Sequence, residues 1–427
     1  MSASSWFLVL GLVQLGLAWN VLRPVRAPAS AAILSFFAGW LVGELALHAL
    51  AAQLLLVAVF AWLGAFAAWP GLAGLGFSMV ASALLVVSQR RATGAREAVE
   101  ATLRDVPPAL AAPNPALGTG LLVLPFPVRH AGVVSRKHVE FHRHDGLALR
   151  LDVHRARDHE GHGPALVYVH GGGWVIGHRD KQGLPLMHHL AAQGWVCVSV
   201  DYRLSPRATF PDHLVDVKRA LVWVREHADE LGVDPAFIAI AGNSAGAHLA
   251  SLAALTANRP EYQPGFEGDT SVSACVGFYG IYDFLDRRGL FPNRGMEILL
   301  ERQVMKTRRA DAREAYDAAS PVAQVHAGAP PFLVVHGSHD TLAPVEGARH
   351  FVEALREVSR ASVIYMEIPG AQHAFEVFPS VRTRHVVNGV TRFLEAIRVE
   401  SQKARAPSAR TPVRSSAVSA ARRSAPA

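Results

Sequence analysis

Phe237-Ile238-Ala239-Ile240-Ala241-Gly242-Asn243-Ser244-Ala245-Gly246 is the stretch on which the reading of this chain turns. Five apolar residues run straight into a G-x-S-x-G pentapeptide, and an alanine-rich stretch suited to a helix follows. A strand that breaks sharply into a helix exposes a serine hydroxyl above the edge of a sheet. Glycines on both sides let neighbouring backbone pass close to that strained residue. The pattern predicts Ser244 as a nucleophile at the end of a buried strand.

Working outward, residues 165–169, 195–200, 274–279, 332–335 and 363–368 are further short apolar runs. Helical patterns lie between most of them, such as residues 212–227, where Leu214, Val217, Leu221 and Val224 share one face. Short strands buried on both faces and alternating with helices imply an α/β fold with a mostly parallel sheet covered on both sides. Residues 138–141 and 147–153 flank His144-Asp145-Gly146 and read as a hairpin. Residues 283–320, rich in Arg, Leu and Met, interrupt the alternation and read as a helical cap or lid insertion.

A serine hydroxyl needs a base, and the base needs an orienting acid. Asp340 and His373 each follow an apolar strand, which puts them on the same sheet edge as Ser244, in the chain order serine, acid, histidine. Among 21 histidines most are ordinary structural residues, and His248, His336 and His339 are read as such. Glu346 is the rival acid, at the start of the next helix. The oxyanion that forms in acyl transfer needs preorganised N–H donors. Ala245 supplies one; Gly172 and Gly173, in His170-Gly171-Gly172-Gly173-Trp174, supply the others. A phosphate cradle is the competing reading of that glycine run, but no Lys-Ser/Thr pair follows it. This chemistry calls for no metal and no organic cofactor.

With Asp201-Tyr202-Arg203-Leu204-Ser205-Pro206 and His336-Gly337-Ser338-His339-Asp340 added, the chain resembles the α/β-hydrolase fold and, within it, the hormone-sensitive-lipase-like carboxylesterases. The resemblance covers residues 147–397. It implies that His170 braces the oxyanion loop and that Asp201 and Arg203 form ion pairs behind the site. Two features depart from the pattern. Asn243 stands before the serine where the family usually has Asp, and the surroundings of Asp340 and Gly246-Ala247-His248 look more like feruloyl-esterase-type and kynurenine-formamidase-type relatives.

The front of the chain is of another kind. Residues 6–87 are almost all apolar, small, Gly or Pro. Residues 6–19 make one apolar run and residues 31–87 a block long enough for two or three crossings at about 20 residues each. Three or four helices are expected over residues 1–88, with a turn at Trp69-Pro70-Gly71. Residues 89–135 are then a connector, residues 136–400 the catalytic domain and residues 401–427 a basic, disordered tail. Arg23 and Arg26, and then Arg90, Arg91, Arg96 and Arg104, flank the block. If both clusters are cytoplasmic there are three spans, and the catalytic domain is cytoplasmic on a bacterial-type inner membrane. Glu44 and His48, four residues apart, read as a pair on one helix face.

Net charge is +7, and the tail's Lys403, Arg405, Arg410, Arg414, Arg422 and Arg423 supply six of those charges. The folded part is nearly neutral, so nucleic acid is not an expected partner, whereas anionic lipid is a partner the tail could meet. Cys197 and Cys275 lie in apolar strand-like runs and read as buried thiols. The expectation is a membrane-anchored serine hydrolase of acyl esters, small or lipid. The alternatives are a formamide or amide hydrolase, an acyl transferase to alcohols, and a non-catalytic membrane scaffold.

Overall fold

The computed structural model describes residues 1–104, 106 and 130–405. Its sheet has eight strands: β1 (Val133–His144), β2 (Leu147–Ala156), β3 (Gly163–Val169), β4 (Val196–Val200), β5 (Val233–Asn243), β6 (Ala274–Phe278), β7 (Phe332–Gly337) and β8 (Val363–Ile368). Their order is β1-β2-β4-β3-β5-β6-β7-β8. The pairs β1/β2 and β2/β4 are antiparallel and all others are parallel. The expected mostly parallel sheet is what forms, with two antiparallel pairs at one edge.

The side-chain period of two explains the burial. On β3 and β5, Ala165, Val167, Val169, Ile238 and Ile240 enter one core. Leu166, Tyr168, Phe237, Ala239 and Ala241 enter the other. A central parallel strand has no wet face, so its sequence is a continuous apolar run. Helix Asp212–Glu226 packs Leu214, Val217, Leu221 and Val224 onto the first core, the face its periodicity predicts. Cys197 and Cys275 are buried free thiols, one in each core.

Among the described residues, five α-helices precede the sheet: α1 (Ala3–Leu22), α2 (Ala29–Glu44), α3 (Ala46–Trp62), α4 (Trp69–Thr93) and α5 (Ala95–Thr102). By length and composition, α1 and the continuous stretch Trp69–Thr102 can cross a membrane. Helices α2 and α3 pass the same test only together, and they are bent by 87° at their junction. Helices α1 and α4 cross so closely that a Cβ on Gly11 would lie 2.5 Å from the Gly74 carbonyl oxygen. Small residues permit this backbone approach where no water drives association. Ser78 Oγ donates to Gln14 Oε1 at 2.6 Å and Ser82 Oγ to Gln53 Oε1 at 2.9 Å, tying α4 to α1 and α3.

Four expectations need correction. Trp69-Pro70-Gly71 is the first turn of α4, not the reversal, because proline suits a helix start; the chain turns just before it, over residues 63–68. The segment expected as connector carries α5, whose Ala95 and Val99 are buried in the second core, and β1 begins at Val133. Glu44 and His48 do not share a continuous helix, because α2 ends at Glu44 and α3 starts at Ala46 across the bend. The expected basic tail begins as helix, since the final helix runs Val381–Arg405. Pro107-Pro108 and residues 406–427 lie outside the described residues.

Candidate active site

The site grows from the carboxyl ends of β3, β5, β7 and β8. Ser244 sits between β5 and α6 (Ala245–Leu255) at φ 53°, ψ −121°. That left-handed conformation costs a non-glycine residue about 1–3 kcal/mol. Hydrogen bonds hold it: Ser244 N–H donates to the Phe278 carbonyl at 2.8 Å, and its own carbonyl accepts from His248 N–H at 3.1 Å. Gly246 is required for close approach, since a Cβ there would lie 2.0 Å from the Val169 carbonyl oxygen. Ser244 is half-buried, and Ala245 begins the helix with its N–H beside the serine.

His373 lies in the loop after β8 and Asp340 in the loop after β7. His373 Nδ1 meets Asp340 Oδ2 at 2.7 Å, both side chains buried. With Nδ1–H donating, Nε2 is the basic nitrogen. Asp340 Oδ1 accepts the N–H groups of Leu342 and Ala343, each at 2.8 Å. His336 Nε2 is 3.2 Å from Asp340 Oδ2 and 3.1 Å from the Ala343 carbonyl. Burial alone would raise the Asp340 pKa. Attraction to His373 and the hydrogen bonds from His336 and His373 outweigh it and hold the carboxyl well below its ordinary range. Gln372 Oε1 accepts from Thr341 N–H at 2.8 Å and His373 N–H at 2.9 Å, locking the two loops together. Glu346 is elsewhere, 4.0 Å from Arg26.

On the opposite side stands the glycine loop after β3. Gly172 has φ 126°, and a Cβ there would lie 2.0 Å from the Ile176 carbonyl oxygen. Gly171 N–H is shared by Gln182 Oε1 at 2.7 Å and Asn243 Oδ1 at 2.8 Å. Gly172 and Gly173 follow, half-buried, beside the serine turn. His170 stacks on Tyr202 at 4.5 Å, and burial lowers its pKa to about 4, so it braces as a neutral ring. His248 accepts from Trp174 Nε1–H at 3.2 Å and reaches the Ala319 carbonyl at 2.7 Å, linking the glycine loop to the cap. Asp201 and Arg203 do not pair with each other: Asp201 meets Arg179 at 2.6 Å and Arg203 meets Asp216 at 2.8 Å.

Asn243 explains itself here. Its Oδ1 accepts from the glycine loop and its Nδ2 donates to Tyr279 Oη at 3.1 Å. Tyr279 Oη in turn donates to Glu376, and the Tyr279 ring lies 4.4 Å from the His373 ring. Burial raises the Glu376 pKa to about 7, against the lowering effect of the Tyr279 hydrogen bond. An amide offers a donor and an acceptor at once, which an ionised Asp does not. Sequence reasoning missed Tyr279, Glu376 and the contact of His336 with Asp340. Nothing in their local patterns separates them from ordinary core residues.

The cap between β6 and β7 contains helix α7 (Gly295–Leu299), a π-helical turn over Leu300–Val304, and helix α8 (Arg313–Ala318). Its Leu299 reaches the glycine loop, within 3.4 Å of where a Gly173 Cβ would stand.

This layout can be set beside known proteins. The BD-FAE family model matches residues 151–355. The chain is 46% identical over 274 residues to the esterase LipC of Mycobacterium tuberculosis, covering 63% of this chain and 67% of LipC. The chain belongs to the α/β-hydrolase esterases. It is also 50% identical over 255 residues to the probable carboxylic ester hydrolase LipM of the same organism. That match takes in 59% of this chain and 59% of LipM, so it leaves part of LipM's length unspanned. A truncated carbohydrate esterase from gut microbiota shares the fold, with a TM-score of 0.54 at 21% identity over 63% of this chain and 96% of that one.

Proposed function

We propose that the chain is a membrane-anchored serine carboxylesterase in which Ser244 is the nucleophile, His373 the base and Asp340 the orienting acid. The observation that carries this reading is the Asp340–His373 hydrogen bond of 2.7 Å beside the strained Ser244 turn, on one sheet edge. In the first step Ser244 Oγ bonds to the ester carbonyl carbon and its proton passes to His373 Nε2. The oxyanion is held by the N–H groups of Ala245, Gly172 and Gly173. Imidazolium then protonates the leaving alcohol as the C–O bond breaks, leaving an acyl-serine. Water attacks that ester with His373 again taking the proton, and acid and free serine are released. Asp340, held ionised by its partners, favours the imidazolium at each step.

The anchor is α1 and α4 with α3 beside them. Arg26, in the α1–α2 loop, donates to the Ser338 carbonyl at 3.1 Å, and α5 is buried against the final helix. Both basic clusters are thus near the catalytic domain, which supports three spans and a cytoplasmic domain under the positive-inside rule.

A fluorophosphonate probe tests the reading. Labelling of the wild type that disappears in Ser244→Ala, with turnover of acyl esters above that of N-formylkynurenine, is the expected result. A folded wild type that resists the probe would overturn it.

A further inference from the structure

Helix α2 turns away from α3 by 87° and is tied to α1 by Ser35 Oγ donating to Asn20 Oδ1 at 2.6 Å. It also lies across the loops that carry Asp340 and His373. Its buried residues Ala32, Ser35, Phe36, Gly39, Gly43 and Glu44 form one helical face. Along that face the Ala32 carbonyl accepts from Thr341 Oγ1 at 3.3 Å, and Trp40 Nε1–H donates to the Ala374 carbonyl at 2.8 Å. Phe36 sets its ring edge-on to His373 at 6.0 Å and stacks on Trp40, which stacks on Phe378. At the far end Glu44 is buried against Arg382 at 2.8 Å. At the near end the cap joins in: Asn293 Nδ2 donates to the Arg26 carbonyl at 2.8 Å, and a Cβ on Gly295 would lie 3.1 Å from Ala29 Cβ.

Glycine loop, cap, α2 and histidine loop therefore touch in sequence around Ser244. The opposite face of α2 is apolar and exposed, with Ile33, Leu34, Phe37 and Leu41. The cap and the glycine loop add exposed Ile298 and Ile176. Apolar residues exposed on α2, the cap and the glycine loop around one mouth suit a non-aqueous surrounding.

We propose that α2 is a wall of the catalytic pocket, lying at the membrane surface, and that Phe36 and Trp40 select an ester whose long acyl chain comes from the bilayer. This rests on the esterase reading above. Phe36 touches the base, so its aromatic edge borders the space where an acyl chain leaving the Ser244 ester would run. Such a chain gains contact with each methylene it lays on the wall, whereas a short acyl group does not reach it.

The test uses the full chain in nanodiscs, with p-nitrophenyl esters of butyrate and laurate and a small fluorophosphonate. Phe36→Ala is expected to lower kcat/KM for laurate about tenfold relative to butyrate. Phe37→Ala, whose side chain is exposed on the outer face of α2, should keep the rate of Ser244 labelling within about twofold of wild type. Phe36→Trp, which fills the wall and keeps an aromatic ring against His373, should move the preference the other way. Phe37→Ala, on the exposed face, should leave the laurate-to-butyrate ratio unchanged. An equal loss on both esters, or an unchanged ratio in both Phe36 variants, would overturn the inference while labelling still upholds the esterase. A wild type that neither labels nor turns over any ester would remove the parent reading itself.

Discussion

The α/β domain and the amino-terminal helices bury different mixtures of residue. In β3 to β7 the core is Val, Ile, Leu, Ala and Phe. In α1 and α4 the hidden residues include Ser4, Gly11, Gln14, Gly74, Ser78 and Ser88 beside Phe7, Val21 and Leu85, while Leu12, Trp19, Leu72 and Met79 face outward. Water would punish the second arrangement; hydrocarbon does not, because lipid tails are as apolar as leucine and only close packing and hydrogen bonds hold helices together. The contrast teaches that one chain carries two packing patterns, and that α2 is the helix where they meet. It has an inner face fitted to the catalytic domain and to α1 and an outer face that is apolar and exposed.

The catalytic half of that comparison breaks hardest at Ser244. Ser244→Ala should lower kcat on acyl esters by about four orders of magnitude or more and leave the melting temperature within a few degrees, as read by steady-state kinetics and calorimetry. A comparable loss of folding would mean that the turn serves structure alone. At the seam, Arg382→Ala leaves the Glu44 carboxylate buried without its cation. The expected cost is about 3–5 kcal/mol, with much of it recovered in the Glu44→Gln/Arg382→Ala double variant, measured by denaturant unfolding in detergent. Additive losses would show that the pair does not join the two regions.

The lipid-facing half is probed by Leu54→Arg, on the exposed face of α3. In hydrocarbon this costs about 2.5–3.5 kcal/mol and should reduce the carbonate-resistant membrane fraction; at a wet surface it would be nearly silent. A change of pH acts on several buried groups at once. Burial lowers the pKa of His154, His170, His188, His189 and His213 to about 4 and of His248 to about 3. The unfolded chain binds these protons near the ordinary value of about 6.5 while the folded chain refuses them. Stability is therefore full above that value and falls as pH drops through the window, by about 1.4 kcal/mol per pH unit for each histidine. Glu376 has the opposite sign: its pKa is raised to about 7, so the folded state takes that proton first and gains stability as pH falls towards the ordinary carboxylate range. Six histidines against one such glutamate predict acid-labile folding between pH 6.5 and 4, checked by melting temperature against pH. A flat profile would show that these buried histidines are not the source of acid sensitivity.

Much of this was legible before any coordinates. Continuous apolar runs such as 237–241 can only be strands covered on both faces, and the order of Ser244, Asp340 and His373 after three of them places all three at one edge. Local chemistry was enough because each signal sits within a few residues of its consequence: a strand, a glycine turn, a helix. The apolar block before residue 88 sets itself apart from the rest of the chain by composition alone.

Only the tertiary structure decided what Glu44, Asn243, Tyr279 and Glu376 do. Glu44 looked like half of a pair with His48, yet its partner Arg382 lies 338 residues away. Asn243 looked like a departure from a motif, yet its amide joins Gly171 to Tyr279, and Tyr279 to Glu376. The placement of α2 over His373 has no trace in its own sequence, which carries apolar residues on both faces. Composition tells a helix to avoid water; it does not say whether a sheet, another helix or a lipid will take its place. That choice depends on which surfaces the rest of the chain leaves uncovered, and those exist only once it has folded.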